Sequence, residues 1–105
     1  MQVPASGFIA VLVIDLHFPE AGSLKSKRKE LSSIKAQLHG RLGAAVAEVD
    51  HQDLWQRARL TVALTGPSLS TLAAAADNVE RWLLARLPDG VRVQRIVTSV
   101  QDLWE

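Results

Sequence analysis

The sequence predicts an α+β domain with element order β-α-β-β-α-β. Two stretches each carry one apolar stripe at helical spacing, four others are rich in β-branched residues or alternate apolar with polar, and Gly and Pro turns separate them. Residues 7–18 (GFIAVLVIDLHF) read as the first strand, bounded by Gly7 and Pro19. The apolar run Phe8 to Ile14 does not alternate, so both faces of this strand are expected to be covered, one of them by another subunit.

Ser23 is the expected N-cap of a first helix, and Leu24, Leu31, Ile34, Leu38 and Leu42 follow as its stripe. Gly40 and Gly43 close it. Ala44 to Asp50 reads as a short strand, followed by a turn over Asp50-His51-Gln52-Asp53. A third strand, Arg57 to Thr65, places Leu60, Val62 and Leu64 on one face. Gly66-Pro67-Ser68 breaks that strand. Leu72, Ala76, Val79, Leu83 and Leu87 then mark a second helix, with Ser68 as its cap. After the Pro88-Asp89-Gly90 turn, Val91 to Val100 is the last strand, running out toward Trp104.

Two helices with one stripe each need one sheet face, and right-handed β-α-β crossovers join non-adjacent strands. The arrangement that satisfies both is a ferredoxin-like sandwich: a four-stranded antiparallel sheet with two helices on one face and the other face open. Residues 1–105 are expected to form this single domain, with a frayed lead over residues 1–6 around Pro4.

Composition narrows the function. The chain has 105 residues, 48% hydrophobic and 22% charged, which excludes disorder as the main state. No apolar run is long enough to span a membrane and no signal-peptide pattern is present, so a cytoplasmic protein without membrane contact is expected. The absence of Cys removes disulfides, thiolate nucleophiles and iron–sulfur clusters, and no cofactor is expected. No Ser or His lies in a nucleophile-elbow setting, so the chain reads as non-enzymatic.

Charge is unevenly placed. Between Ser23 and Gly43, Lys25, Lys27, Arg28, Lys29, Lys35 and Arg41 face one acid, Glu30; this segment carries +5 and the rest of the chain −4, for a total of +1. Four of the cations crowd the first two turns of the helix, where its dipole favours acids. Free N–H groups beside these cations suit phosphate, so the six basic residues are the expected nucleic-acid contacts. A solvated helix face is the competing reading. The third strand has no aromatic residue on which bases could stack, so contact would be electrostatic and salt-sensitive.

A second group, Glu48, Asp50, His51, Gln52, Asp53 and Trp55, combines acid, imidazole and amide. With Glu48 and Asp50 on one strand face it would suit magnesium or manganese, which gives a metal-dependent phosphoesterase as a third hypothesis. The alternative is structural, with Asp50 capping one helical turn through Trp55 and Asp53 at its third position. No specific metal motif matches the spacing, and no metal site is assigned.

The stretch Ser23-Leu24-Lys25-Ser26-Lys27-Arg28 after Leu16-His17-Phe18-Pro19, together with residues 47–56 (AEVDHQDLWQ), resembles the YlxP-like bacterial family, a family of unknown function. The resemblance spans nearly the whole chain. It implies a ferredoxin-like fold and a small cytoplasmic protein whose gene often neighbours those for translation initiation and ribosome maturation, and it brings no established catalytic residues. Ribosomal RNA or the ribosome is therefore the expected partner. The alternative is a homo-oligomeric regulatory protein, a homodimer through its open sheet face, with no nucleic-acid binding.

Overall fold

The computed structural model describes residues 6–105, so the N-terminal lead expected to fray lies, apart from Ser6, outside the described residues. The elements are β1 (Phe8–His17), α1 (Leu24–Gly40), β2 (Ala45–Asp50), β3 (Arg57–Gly66), α2 (Leu69–Arg86), β4 (Val91–Ser99) and α3 (Val100–Trp104). All strand pairings are antiparallel, in the order β2-β3-β1-β4, which is the ferredoxin-like arrangement.

The core follows from the period-two alternation of the two central strands. Ala10, Leu12, Ile14 and Leu16 of β1 and Ala58, Leu60, Val62 and Leu64 of β3 are buried beneath the helices. From above they meet Leu31, Ile34 and Leu38 of α1 and Leu72, Ala76, Val79 and Leu83 of α2. Burying each leucine-sized side chain contributes about 1.5–3 kcal/mol, so these stripes hold the two layers together. The intervening β1 residues Ile9, Val11 and Val13 face the open side and are half-buried.

The helix starts form as their caps dictate. Ser23 Oγ accepts from the Ser26 N–H at 3.1 Å, and Ser68 Oγ accepts from the Thr71 N–H at 3.2 Å. Gly43, at φ +66, gives the left-handed turn into β2. Gly90 has a different reason: its carbonyl accepts from the His17 N–H at 2.8 Å, and a Cβ there would collide with the His17 carbonyl oxygen.

One expectation is corrected. The chain after β4 does not run out as strand but turns into α3, capped by Ser99, whose Oγ accepts from the Asp102 N–H at 3.0 Å. On β4 a charge lies among the helix-side residues: Arg95 reaches Glu80 at 2.9 Å and Asp77 at 3.0 Å on α2. Burial works against the Arg95 charge, but these two carboxylates outweigh it and raise its pKa.

Candidate nucleic-acid interface

The apolar stripe of α1, followed back four residues from Leu31, lands on Lys27 rather than on Leu24. Leu24 is 37% exposed, whereas Lys27 is fully buried. Its Nζ donates to the carbonyls of His51 and Leu54, each at 2.6 Å, and to that of Gln52 at 3.4 Å. The β2–β3 loop thus closes over the ammonium and supplies the acceptors that a buried charge requires. Burial lowers the Lys27 pKa and Arg28 adds to the lowering, while Glu48 and Asp53 oppose it.

Lys27 therefore corrects the expectation that all six basic residues contact phosphate: its donors are spent inside the protein. Arg28 is also engaged, donating to Glu48 Oε1 at 2.6 Å and to the Gln52 carbonyl at 3.0 Å, although its side chain remains 44% exposed. Lys35 lies 3.9 Å from the same Glu48 oxygen. For Lys27 and Arg28 the unfavourable helix dipole is met by loop carbonyls and a carboxylate, which gives part of the basic cluster a structural cause. Arg41 sits just past the last turn of α1, where the dipole favours a cation.

Lys25 and Lys29 remain. They lie one helical turn apart on the exposed side of α1, and neither has an ion-pair partner among the described residues. The first turn of α1 contains no acid. Like charges four residues apart cost a few tenths of a kcal/mol, and a positive helix end adds to that cost. No ion pair among the described residues offsets it.

The acidic group does not converge. A β-bulge sets Glu48 opposite Leu60 and Asp50 opposite Arg59, so the extra residue, Val49, sends the two carboxylates to opposite faces of the sheet. Glu48 turns toward α1, and its Oε2 is buried without a hydrogen-bond partner. Asp50 stays on the open face, with Oδ2 3.5 Å from Arg59. Asp50 also caps no helical turn. His51 has φ 67, and the Leu54 N–H donates to the His51 carbonyl at 3.1 Å, which closes an irregular loop in which Gln52, Asp53 and Trp55 are exposed. The shared-face geometry proposed for a divalent ion is thereby overturned, and the described residues contain no group of three or more His, Asp or Glu placed to hold a metal ion.

Two further features escaped the sequence reading. One is a row of charges at one end of the open face, where Arg59 donates to Asp15 Oδ1 at 2.8 Å, flanked by Asp50 and Arg92. The hydrogen bond and charge of Asp15 raise the Arg59 pKa, with Asp50 adding to the effect. The other is a hollow of about 400 Å³ between the β1–α1 and α2–β4 loops, where Phe18, Pro19 and Pro88 surround Glu30 and Arg86, themselves 3.5 Å apart. No helix among the described residues is long and apolar enough to cross a membrane.

Fold and surface together define a ferredoxin-like α+β domain presenting a basic helix. Over residues 9–99 the sequence matches the family described as "Protein of unknown function (DUF503)", and the chain belongs to that family. It is 26% identical over 82 residues to the "Uncharacterized protein YlxP" of Bacillus subtilis (strain 168), an alignment covering 78% of this chain and 85% of that protein. The de novo designed protein Foldit4 superposes with a TM-score of 0.55 at 12% identity, over 88% of this chain and 96% of the designed one, a likeness of fold alone.

Proposed function

We propose that this protein is an RNA-associated binding module that docks the exposed side of α1 on phosphate, with ribosomal RNA as its target. The observation that carries the reading is the pair Lys25 and Lys29: two solvent-facing cations beside a positive helix end, with no acid in the first turn and no ion-pair partner among the described residues. Arg28 and Lys35 border this surface on the flank that faces Glu48, and Arg41 stands exposed at the far end of the helix. Such a surface binds through charge neutralisation and counterion release, without base stacking. The family resemblance, with its neighbourhood of translation genes, favours ribosomal RNA over other polyanions. Lys27 serves this function only indirectly, by fixing the loop against which Arg28 is oriented.

The test is co-sedimentation with ribosomal subunits at low and moderate salt, using the native chain and a Lys25→Glu/Lys29→Glu variant. Salt-sensitive association that the variant loses while keeping its native circular dichroism is the expected result. Equal association of both proteins would overturn the assignment.

A further inference from the structure

The open face of the sheet reads as a set of cross-strand rows whose residues alternate in a particular order. Taken from β2 to β4, the charged row is Asp50, Arg59, Asp15, Arg92. Its signs run minus, plus, minus, plus. The row through the middle of the face is Ala45, Ala63, Val11, Ile96, running from small to large, and Ile96 is 70% exposed. Between them lie Ala47, Thr61, Val13 and Gln94.

Reversing each row complements it. The reversed charged row reads plus, minus, plus, minus, opposite in sign to the original at every position. The reversed middle row sets Ile96 over Ala45 and Val11 over Ala63, the bulkiest side chains over the smallest. A two-fold axis lying between the faces and along the strands performs this reversal, because it brings β2 onto β4 of the copy and β3 onto β1. A two-fold across the strands would instead lay the charged row over the end formed by Thr65, Ile9 and Thr98, where the copy offers no opposite charge to Arg92 or to the rest of the row.

We propose that the open sheet face binds a second copy of this chain in that first orientation, forming an isologous dimer with sheet packed on sheet. Asp50 then meets Arg92 of the copy and Arg59 meets Asp15, each twice, as two-fold symmetry requires. Aligned sheets pack about 10 Å apart, and strands close to parallel keep the charged end row as well as the middle row opposed. Three strands spanning about 30 Å and the shorter β2 spanning about 20 Å, at about 4.8 Å spacing, cover roughly 500–550 Å² on each partner. The total is near the lower end of specific protein interfaces, about 1,200 Å², so the dimer is expected to be reversible. The helices lie on the outer sides of such a dimer, leaving both copies of α1 exposed.

The experiment is sedimentation equilibrium of the full chain from micromolar to sub-millimolar concentration, with circular dichroism confirming the fold of each variant. The native chain should be dimeric at the upper end and Ile96→Arg monomeric. Asp50→Arg and Arg92→Asp should each weaken association by about tenfold or more through like-charge contacts. The double swap Asp50→Arg/Arg92→Asp again opposes every charge across the axis and should restore association to within about threefold of native, a difference below 1 kcal/mol. A native chain that stays monomeric throughout overturns the proposal and returns the face to a partner of another kind. A dimer indifferent to Ile96→Arg, or single swaps not rescued by the double, overturns it equally.

Discussion

Replacing Lys27 with methionine keeps most of the unbranched apolar stem and removes the ammonium with its three donors. The His51 and Leu54 carbonyls each lose a 2.6 Å bond, while the Gln52 carbonyl keeps its 3.0 Å bond from Arg28. A hydrogen bond to a charged group contributes about 1.5–3 kcal/mol, and relief from burying the ammonium offsets part of the loss of two, leaving about 2–4 kcal/mol of destabilisation. In a domain of this size, that lowers Tm by roughly 8–20 °C. Urea and thermal unfolding of Lys27→Met, beside Lys25→Met as the exposed control, measures it directly. The control should stay within about 0.5 kcal/mol of native. A Lys27→Met protein as stable as the native chain, or a control that loses as much, would refute the assignment of Lys27 to the interior.

Three other predictions follow from single contacts. Gly90→Ala should cost about 1–3 kcal/mol, because its Cβ meets the His17 carbonyl, which is fixed in β1 and cannot yield; Gly22→Ala, with open space around it, is the control in the same unfolding assay. The Lys27 ammonium should titrate below the ordinary lysine value of 10.5 in an NMR titration of the lysine Cε signals. Since its folded pKa is lowered, charging it opposes folding at neutral pH, and that cost is relieved as pH rises through the folded pKa toward the ordinary value of 10.5. Glu48→Gln should release Arg28 and Lys35 from their shared carboxylate, strengthening RNA association at low salt while costing about 1 kcal/mol of stability; unchanged affinity in a binding titration would count against a role for these two cations.

The elements were legible in the sequence because each is written in a local period. The stripes Leu31, Ile34, Leu38 and Leu72, Ala76, Val79, Leu83 are the buried faces of α1 and α2, and the alternation through Leu60, Val62 and Leu64 is the buried face of β3. α3 was less visible, being a five-residue helix whose one signal is Ser99 three residues before Asp102. The site was legible only in part. Lysine is ordinarily a surface residue, so Lys27 counted as a free cation although it occupies the stripe position before Leu31. The bulge at Val49 left no mark in the composition, and alternation counted across it put Glu48 and Asp50 on the wrong relative faces. The charged row was hidden for a different reason: Asp15, Asp50, Arg59 and Arg92 are brought together by pairing between strands distant in sequence.

These assignments divide one basic helix between two tasks, with Lys27 building the β2–β3 loop and Lys25 and Lys29 facing an external polyanion. The most direct test is the salt dependence of binding to a single-stranded ribosomal RNA fragment, comparing the native chain with Lys25→Met/Lys29→Met. Each phosphate contact on a single strand contributes about 0.7 to the slope of log affinity against log salt, so losing two should flatten that slope by about 1.4. A flattened slope with native stability is the predicted result. An unchanged slope, or no binding by the native chain at low salt, would contradict the claim that this side of α1 is a phosphate-binding surface.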